Sequence, residues 1–108
     1  LQDAFIKHVN PEAVAAVVAE QVQGEGGFIT PPAGYFQELV KICHDNGILF
    51  VADEIQSGMG RTGKMFAIEH WDVEPDLITV AKSLAAGMPL AAVVGKQEIM
   101  DAVHPWGL

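Results

Sequence analysis

The amino-acid sequence predicts an α/β fold: a mostly parallel sheet with covering helices. Three observations predict it. Short apolar runs recur along the chain, at residues 14–22, 48–52 and 77–80. Longer amphipathic or glycine-rich stretches separate them. Polar residues gather where each run ends, at 20–25, 53–56 and 81–83. Strand–helix–strand order with apolar strands makes parallel βαβ units. Such sheets hold ligands at the carboxyl ends of their strands. The three polar clusters are therefore expected to converge on one rim.

Each element has its own signal. Residues 14–22 (VAAVVAEQV) read as a buried strand, rich in valine and without helical periodicity at the centre. Gly24, Gly26 and Gly27 end it in a loop. Pro31-Pro32 opens a helix, because proline suits a first turn. Tyr35, Phe36, Leu39, Val40, Ile42 and Cys43 recur on one helical face, and Asn46-Gly47 supplies a C-cap. Residues 48–52 (ILFVA) form a strand covered on both faces. A glycine-rich turn over 58–63 leads to a short helix around 66–70. Pro75-Asp76 introduces a third strand at 77–80, and a fourth lies around 90–94. Residues 96–103 read as a helix, interrupted by Pro105.

Composition bounds the function. Half of the 108 residues are apolar and 19% are charged, which supports a buried core and argues against disorder. A net charge of −8 disfavours nucleic acid and anionic lipid as partners. The longest near-apolar run, 84–95, is broken by Gly87 and Pro89. It falls short of the roughly 18–20 residues of a membrane span. No signal peptide opens the chain, and the single cysteine, Cys43, points to a reducing, cytoplasmic setting. His8, His44, His70 and His104 lack metal-ligand spacing, so no metal site is assigned. A start on Leu1 and an end on Trp106-Gly107-Leu108 lead us to expect a piece of a longer protein.

Four motifs carry possible chemistry, each beside a plainer reading. Gly58 to Lys64 fits G-x-x-x-x-G-K, the start of a phosphate-binding loop. Met65 stands where the magnesium-binding hydroxyl belongs, and the motif order is wrong for one strand, so a nucleotide site is disfavoured. Asp53 ends an apolar strand, where a carboxylate seeks a cation or hydrogen-bond donors. It reads either as a helix N-cap or surface pair, which spacing alone favours, or as the charge partner of a protonated ring nitrogen. Lys82 follows the third strand among Ala81, Leu84, Ala85 and Ala86. A lysine in apolar surroundings sheds its proton more readily, as a nucleophile or base must; the alternative is a solvated lysine. Gly24-Glu25-Gly26-Gly27 is either a flexible turn or a loop whose backbone approaches a ligand closely, presenting Glu25.

Together these segments resemble the class III aminotransferases. Residues 19–28 resemble their E-P-x-Q-G-E-G-G segment, and 50–58 their A-D-E-V-Q-[ST]-G segment. Residues 60–67 match G-R-T-G-x-x-F-A, and 75–84 match P-D-[IL]-x-x-x-[AGS]-K-x-[IL]. Four motifs in order span nearly the whole chain, and within the family they are most similar to bacterial 4-aminobutyrate aminotransferases. One departure is Gln21, where the family usually has proline, which would leave that backbone less rigid.

The resemblance implies pyridoxal 5′-phosphate and the fold type I architecture, with residues 1–108 as the central portion of the large domain. It implies Lys82 as the lysine that binds the cofactor as a Schiff base and shuttles a proton. Asp53 would pair with the pyridine nitrogen, Ile55 pack on the ring, and Gln56 hydrogen-bond the phenolic oxygen. Glu25 would pair with a substrate-gating arginine, Glu20 lie near the substrate side, and Arg61 be structural. The implied reaction moves an amino group from an ω-amino acid, 4-aminobutyrate first, to a 2-oxo acid such as 2-oxoglutarate. Alternatives are an ornithine, acetylornithine or diamine aminotransferase, a dialkylglycine decarboxylase, or a truncated, non-catalytic α/β fragment. Family members are several times longer, and the parent is expected to be a homodimer or a dimer of dimers. The phosphate-binding turn, the stacking aromatic and the gating arginine lie elsewhere in the parent, so these 108 residues alone are expected to be inactive.

Overall fold

A computed structural model describes residues 1–102. Its centre is a four-stranded sheet in the order β1-β2-β3-β4, comprising β1 (Ala16–Glu20), β2 (Leu49–Asp53), β3 (Leu77–Val80) and β4 (Ala92–Gly95). The first three strands run parallel, and β4 returns antiparallel to β3. The predicted α/β class, with its mostly parallel sheet, is therefore what the chain adopts.

The crossover from β1 to β2 is helix α2 (Tyr35–Asp45), the second helix after α1 (Gln2–Lys7). Its buried stripe is Phe36, Leu39, Val40 and Cys43, all on the predicted apolar face. The stripe packs on Ile48, Phe50 and Ala52, and Ile68 closes the cluster. Each such fully buried large side chain contributes roughly 1.5–3 kcal/mol of transfer free energy. Burial raises the Cys43 thiol's pKa, and the negative charge of Asp76 raises it further, so Cys43 is an unreactive core residue. The crossover from β2 to β3 ends in a 3₁₀ helix, Ala67–Trp71. Successive crossovers of one hand, stepping one way along a sheet, lie on the same face. Accordingly Trp71 meets Phe36 edge-on with ring centroids 5.0 Å apart.

Several boundaries depart from the sequence expectation. β1 covers only 16–20, and Val18 is 62% exposed, because β1 is a sheet edge in this chain. β2 is the strand covered on both faces: Phe50, Val51 and Ala52 are all buried. Pro31-Pro32 precedes α2 rather than opening it; Gly34, at φ 83°, takes the N-cap. The helix around 66–70 is the 3₁₀ segment just named. The fourth strand sits at 92–95, and the last helix, α3, is confined to Gln97–Met100. The expected helix end at Val103, the break at Pro105 and His104 lie outside the described residues. α1 and a 3₁₀ turn at Pro11–Ala13 carried no sequence signal that we read. Among the described residues no helix is long and apolar enough to cross a membrane.

Candidate active site

The parallel register brings the strand ends level. Glu20 of β1 pairs with Asp53 of β2, which pairs with Thr79 of β3. Residues level across a sheet share a face. The expected convergence of the three segments is thus met by the pairing itself.

Asp53 is half-buried at this rim. Its Oδ1 accepts the backbone N–H of Ile55 at 3.1 Å and the hydroxyl of Thr79 at 3.2 Å. Its Oδ2 accepts no hydrogen bond among the described residues. The helix-cap reading is not what forms, because the chain turns after Asp53 instead of entering a helix. Thr79 was not singled out from sequence; only the β2–β3 register brings its hydroxyl to Asp53.

Lys82 stands just past β3 with φ 44°. The left-handed region costs a non-glycine residue roughly 1–3 kcal/mol and recurs where function fixes the backbone. The strained residue turns the chain out of the strand into a 3₁₀ segment, Lys82–Ala85. Lys82 is exposed, so the apolar jacket expected from its neighbours does not close around it within this chain. Instead its Nζ donates to the side-chain Oε1 of Gln56 at 3.0 Å. That contact joins two segments 26 residues apart in sequence.

Both residues line a cavity of about 400 Å³ together with Glu25, Gly24, Arg61 and Ser83. Glu25 is exposed at its edge, presented by the glycine-rich loop. The bridge between Gln23 and Ile29 closes that loop. A Cβ on Gly24 would lie 2.5–2.8 Å from the amide atoms of Gln56, so the lack of a side chain at Gly24 gives that amide its room. Gly24→Ala is expected to displace the Gln56 amide from Lys82 and cost about 1–3 kcal/mol, the usual size of overpacking. Chemical denaturation and a crystal structure of the variant would check both.

The other predicted residues fall beside this cavity. Asp53 and Ile55 form its flank rather than its lining. Glu20, expected near the substrate side, lines a neighbouring cavity, and its carboxylate accepts the Gly24 N–H at 2.6 Å. It therefore braces the loop that carries Glu25. Arg61 donates to the Ser83 hydroxyl at 3.3 Å. The phosphate-loop look-alike folds as consecutive turns, and Lys64 donates to the Glu69 carbonyl, away from the cavity. Gln21 is fully buried: its amide donates to the Ala19 carbonyl at 2.9 Å, and its Oε1 finds no partner among the described residues.

Sequence reasoning missed two buried carboxylates, Glu54 and Asp76. Strand alternation was the available signal for Glu54, since neighbours on a strand point to opposite faces. Its side chain therefore had to turn away from that of Asp53. Asp76 carried no signal beyond its place before β3.

The family model described as Aminotransferase class-III matches residues 2–108. The chain belongs to the class III aminotransferases. This is an enzyme family, and the solved structures similar to this chain are aminotransferases as well. A probable 4-aminobutyrate aminotransferase of Bacillus subtilis (strain 168) is 60% identical over 103 residues, covering 95% of this chain and 24% of that protein. A leucine/methionine racemase of Thermococcus litoralis is 52% identical over 103 residues, covering 95% and 23%. The ornithine aminotransferase of Toxoplasma gondii ME49 superposes with TM-score 0.89 at 37% identity, covering 99% of this chain and 25% of that one. This class III chain thus spans about a quarter of the length of the relatives it matches.

Proposed function

We propose that this chain is the central portion of the large domain of a pyridoxal-phosphate-dependent transaminase. The reaction moves an amino group from an ω-amino acid, 4-aminobutyrate first, to a 2-oxo acid such as 2-oxoglutarate. The observation that carries the reading is the 3.0 Å contact between Lys82 and Gln56 in a cavity edged by Glu25. Family membership supports it.

The donor set fits pyridoxal 5′-phosphate. Asp53 has one carboxylate oxygen held by two donors and the other without a partner among the described residues. An amide and an amine stand side by side at Gln56 and Lys82. When bound, the group supplies an aldehyde that captures amines and a protonated ring that accepts an electron pair. Lys82 would attach it covalently through Nζ, and Asp53 would hold the proton at its ring nitrogen. Ile55 would pack on the ring, and Gln56 would donate its amide N–H to the phenolic oxygen. The Nζ of Lys82, as a free amine, would accept a proton from the substrate carbon and hand it back as a positioned general base and acid. A carboxylate beside a cation stabilises the charged pair more strongly as water is excluded, which suits half-buried Asp53 to its role. Glu25 would face an arginine from outside this chain, and Glu20 would keep the Glu25 loop in place through Gly24. Ping-pong kinetics would be expected of such a two-substrate transfer.

The 60% identity to the probable 4-aminobutyrate aminotransferase favours that donor. The likeness to a racemase and to an ornithine aminotransferase supports a second reading, another class III enzyme acting on a different amine. A homodimeric parent in the cytoplasm belongs to the same proposal. So does inactivity of the isolated chain: Val18, Val93 and Val94 are each more than half exposed and need covering segments.

The test is to incubate the full-length protein with pyridoxal phosphate, reduce with borohydride, and map the labelled peptide by mass spectrometry. Label confined to Lys82, lost in Lys82→Ala and weakened in Asp53→Ala, is the expected result. Label spread over other lysines with Lys82 untouched would overturn the reading.

A further inference from the structure

We infer that Glu54 is a positioning residue, the buried clasp that holds Asp53 and Gln56 in register with Lys82. The inference rests on the proposed transaminase reading and deepens it. Glu54 lies between Asp53 and Gln56 in sequence and is 1% exposed. Both of its carboxylate oxygens are engaged. Oε1 accepts the backbone N–H of Ile68 at 2.8 Å, and Oε2 accepts the Ser57 hydroxyl at 2.7 Å. The Ile68 N–H belongs to the first turn of the 3₁₀ helix, where backbone donors have no partner within the helix. The carboxylate thus ties the loop after β2 to the far end of the β2–β3 crossover.

The backbone of Glu54 makes the same loop rigid. Its N–H donates to the Thr79 carbonyl at 3.0 Å, and its carbonyl accepts the Gly58 N–H at 3.0 Å. A Cβ on Gly58 would lie 2.7 Å from that carbonyl and 3.5 Å from Oε2. The chain from 54 to 58 therefore closes tightly on the Glu54 side chain. Gln56 sits at the middle of this closed loop and Asp53 at its root. Thr79, which receives the Glu54 N–H, is also the residue whose hydroxyl holds Asp53. One side chain and its peptide group accordingly govern both contacts expected at the ring, although Glu54 is absent from the cavity lining. A 1 Å misplacement of a positioned group costs about 10²-fold in rate, so loosening this clasp has a functional readout.

The test uses the full-length protein loaded with pyridoxal phosphate, and reads the pH midpoint of its visible absorption alongside kcat and melting temperature. Glu54→Ala is expected to lower kcat about 10²-fold. It is also expected to move the midpoint by about one unit, because Asp53 and Gln56 no longer meet the ring as before. Glu54→Gln keeps an acceptor for Ile68 and offers Ser57 a donor, and is expected to return the midpoint towards that of the unsubstituted protein. Ser57→Ala, which leaves the Ile68 bond in place, is expected to move the midpoint in the same direction by less. It decides the matter if Glu54→Ala does not fold. A lowered melting temperature with an unmoved midpoint in Ser57→Ala, or in a folded Glu54→Ala, would overturn the positioning role. Absence of borohydride-stable label at Lys82 in the unsubstituted protein would instead overturn the transaminase reading itself.

Discussion

Lys82→Ala in the full-length protein is expected to abolish borohydride-stable attachment of pyridoxal phosphate and to cut turnover by about 10⁴-fold. That figure is the upper end of what a positioned proton-transfer group contributes. The substitution removes the amine that meets Gln56 at 3.0 Å in the cavity. Stability should change little, because the lysine side chain is exposed and its removal buries no unpaired group. Single-turnover kinetics and melting curves of the two proteins, measured together, would check both halves. A large fall in melting temperature with turnover retained would show that Lys82 supports the fold rather than the reaction.

Asp76→Ala is expected to have the opposite signature, a large loss of stability and a small direct effect on the site. Asp76 is 5% exposed and immediately precedes β3. Its Oδ2 accepts the Phe50 N–H at 2.8 Å and the His44 Nε2–H at 2.9 Å, while Oδ1 accepts Lys96 Nζ at 2.8 Å. Its backbone adds bonds to Phe50 and Lys96. The residue thus joins the end of α2, the beginning of β2 and the segment after β4. Alanine would leave the Phe50 N–H and the Lys96 ammonium without their partner, at a cost of about 2–4 kcal/mol. Chemical denaturation of the full-length protein measures it.

The pH dependence follows from the same cluster. Burial alone would raise the Asp76 pKa; the hydrogen bonds from Lys96, Phe50 and His44 outweigh it and hold the carboxyl below its usual range. A depressed carboxylate contributes stability that is present above its unfolded value and is lost as pH falls through the folded one. The Lys96 ammonium is raised, first by its hydrogen bond to Asp76. Its contribution is present below the ordinary lysine range and is lost as pH rises through the raised value. The unsubstituted protein is therefore expected to lose stability towards acid by a step that Asp76→Asn lacks.

Much of the fold was legible in the residues. An uninterrupted apolar run announced β2, because a strand buried on both faces needs no alternation, and Pro75-Asp76 marked the start of β3. The periodic face of α2 announced its packing on that sheet. Short elements were less legible: α1, the turn at Pro11–Ala13 and the start of α2 depend on capping and local hydrogen bonds that propensity barely encodes. The exposure of Val18 was hidden too, since a valine-rich strand reads alike whether neighbours cover it or not.

The site divides in the same way. Sequence alone determined the family and the residues proposed for the site: Asp53, Gln56 and Lys82 sit in local motifs whose order and spacing are written along the chain. Tertiary structure alone decided which of them touch. Parallel pairing levelled Glu20, Asp53 and Thr79. A residue without a side chain at Gly24 let Gln56 pass close by to reach Lys82. It also turned Glu20 back onto its own loop and gave Glu54 and Asp76 their buried donors. The physical reason is range. Residue type and strand or helix period act over a few neighbours, whereas a buried carboxylate is satisfied by whatever donors the completed fold delivers from 14 to 32 positions away.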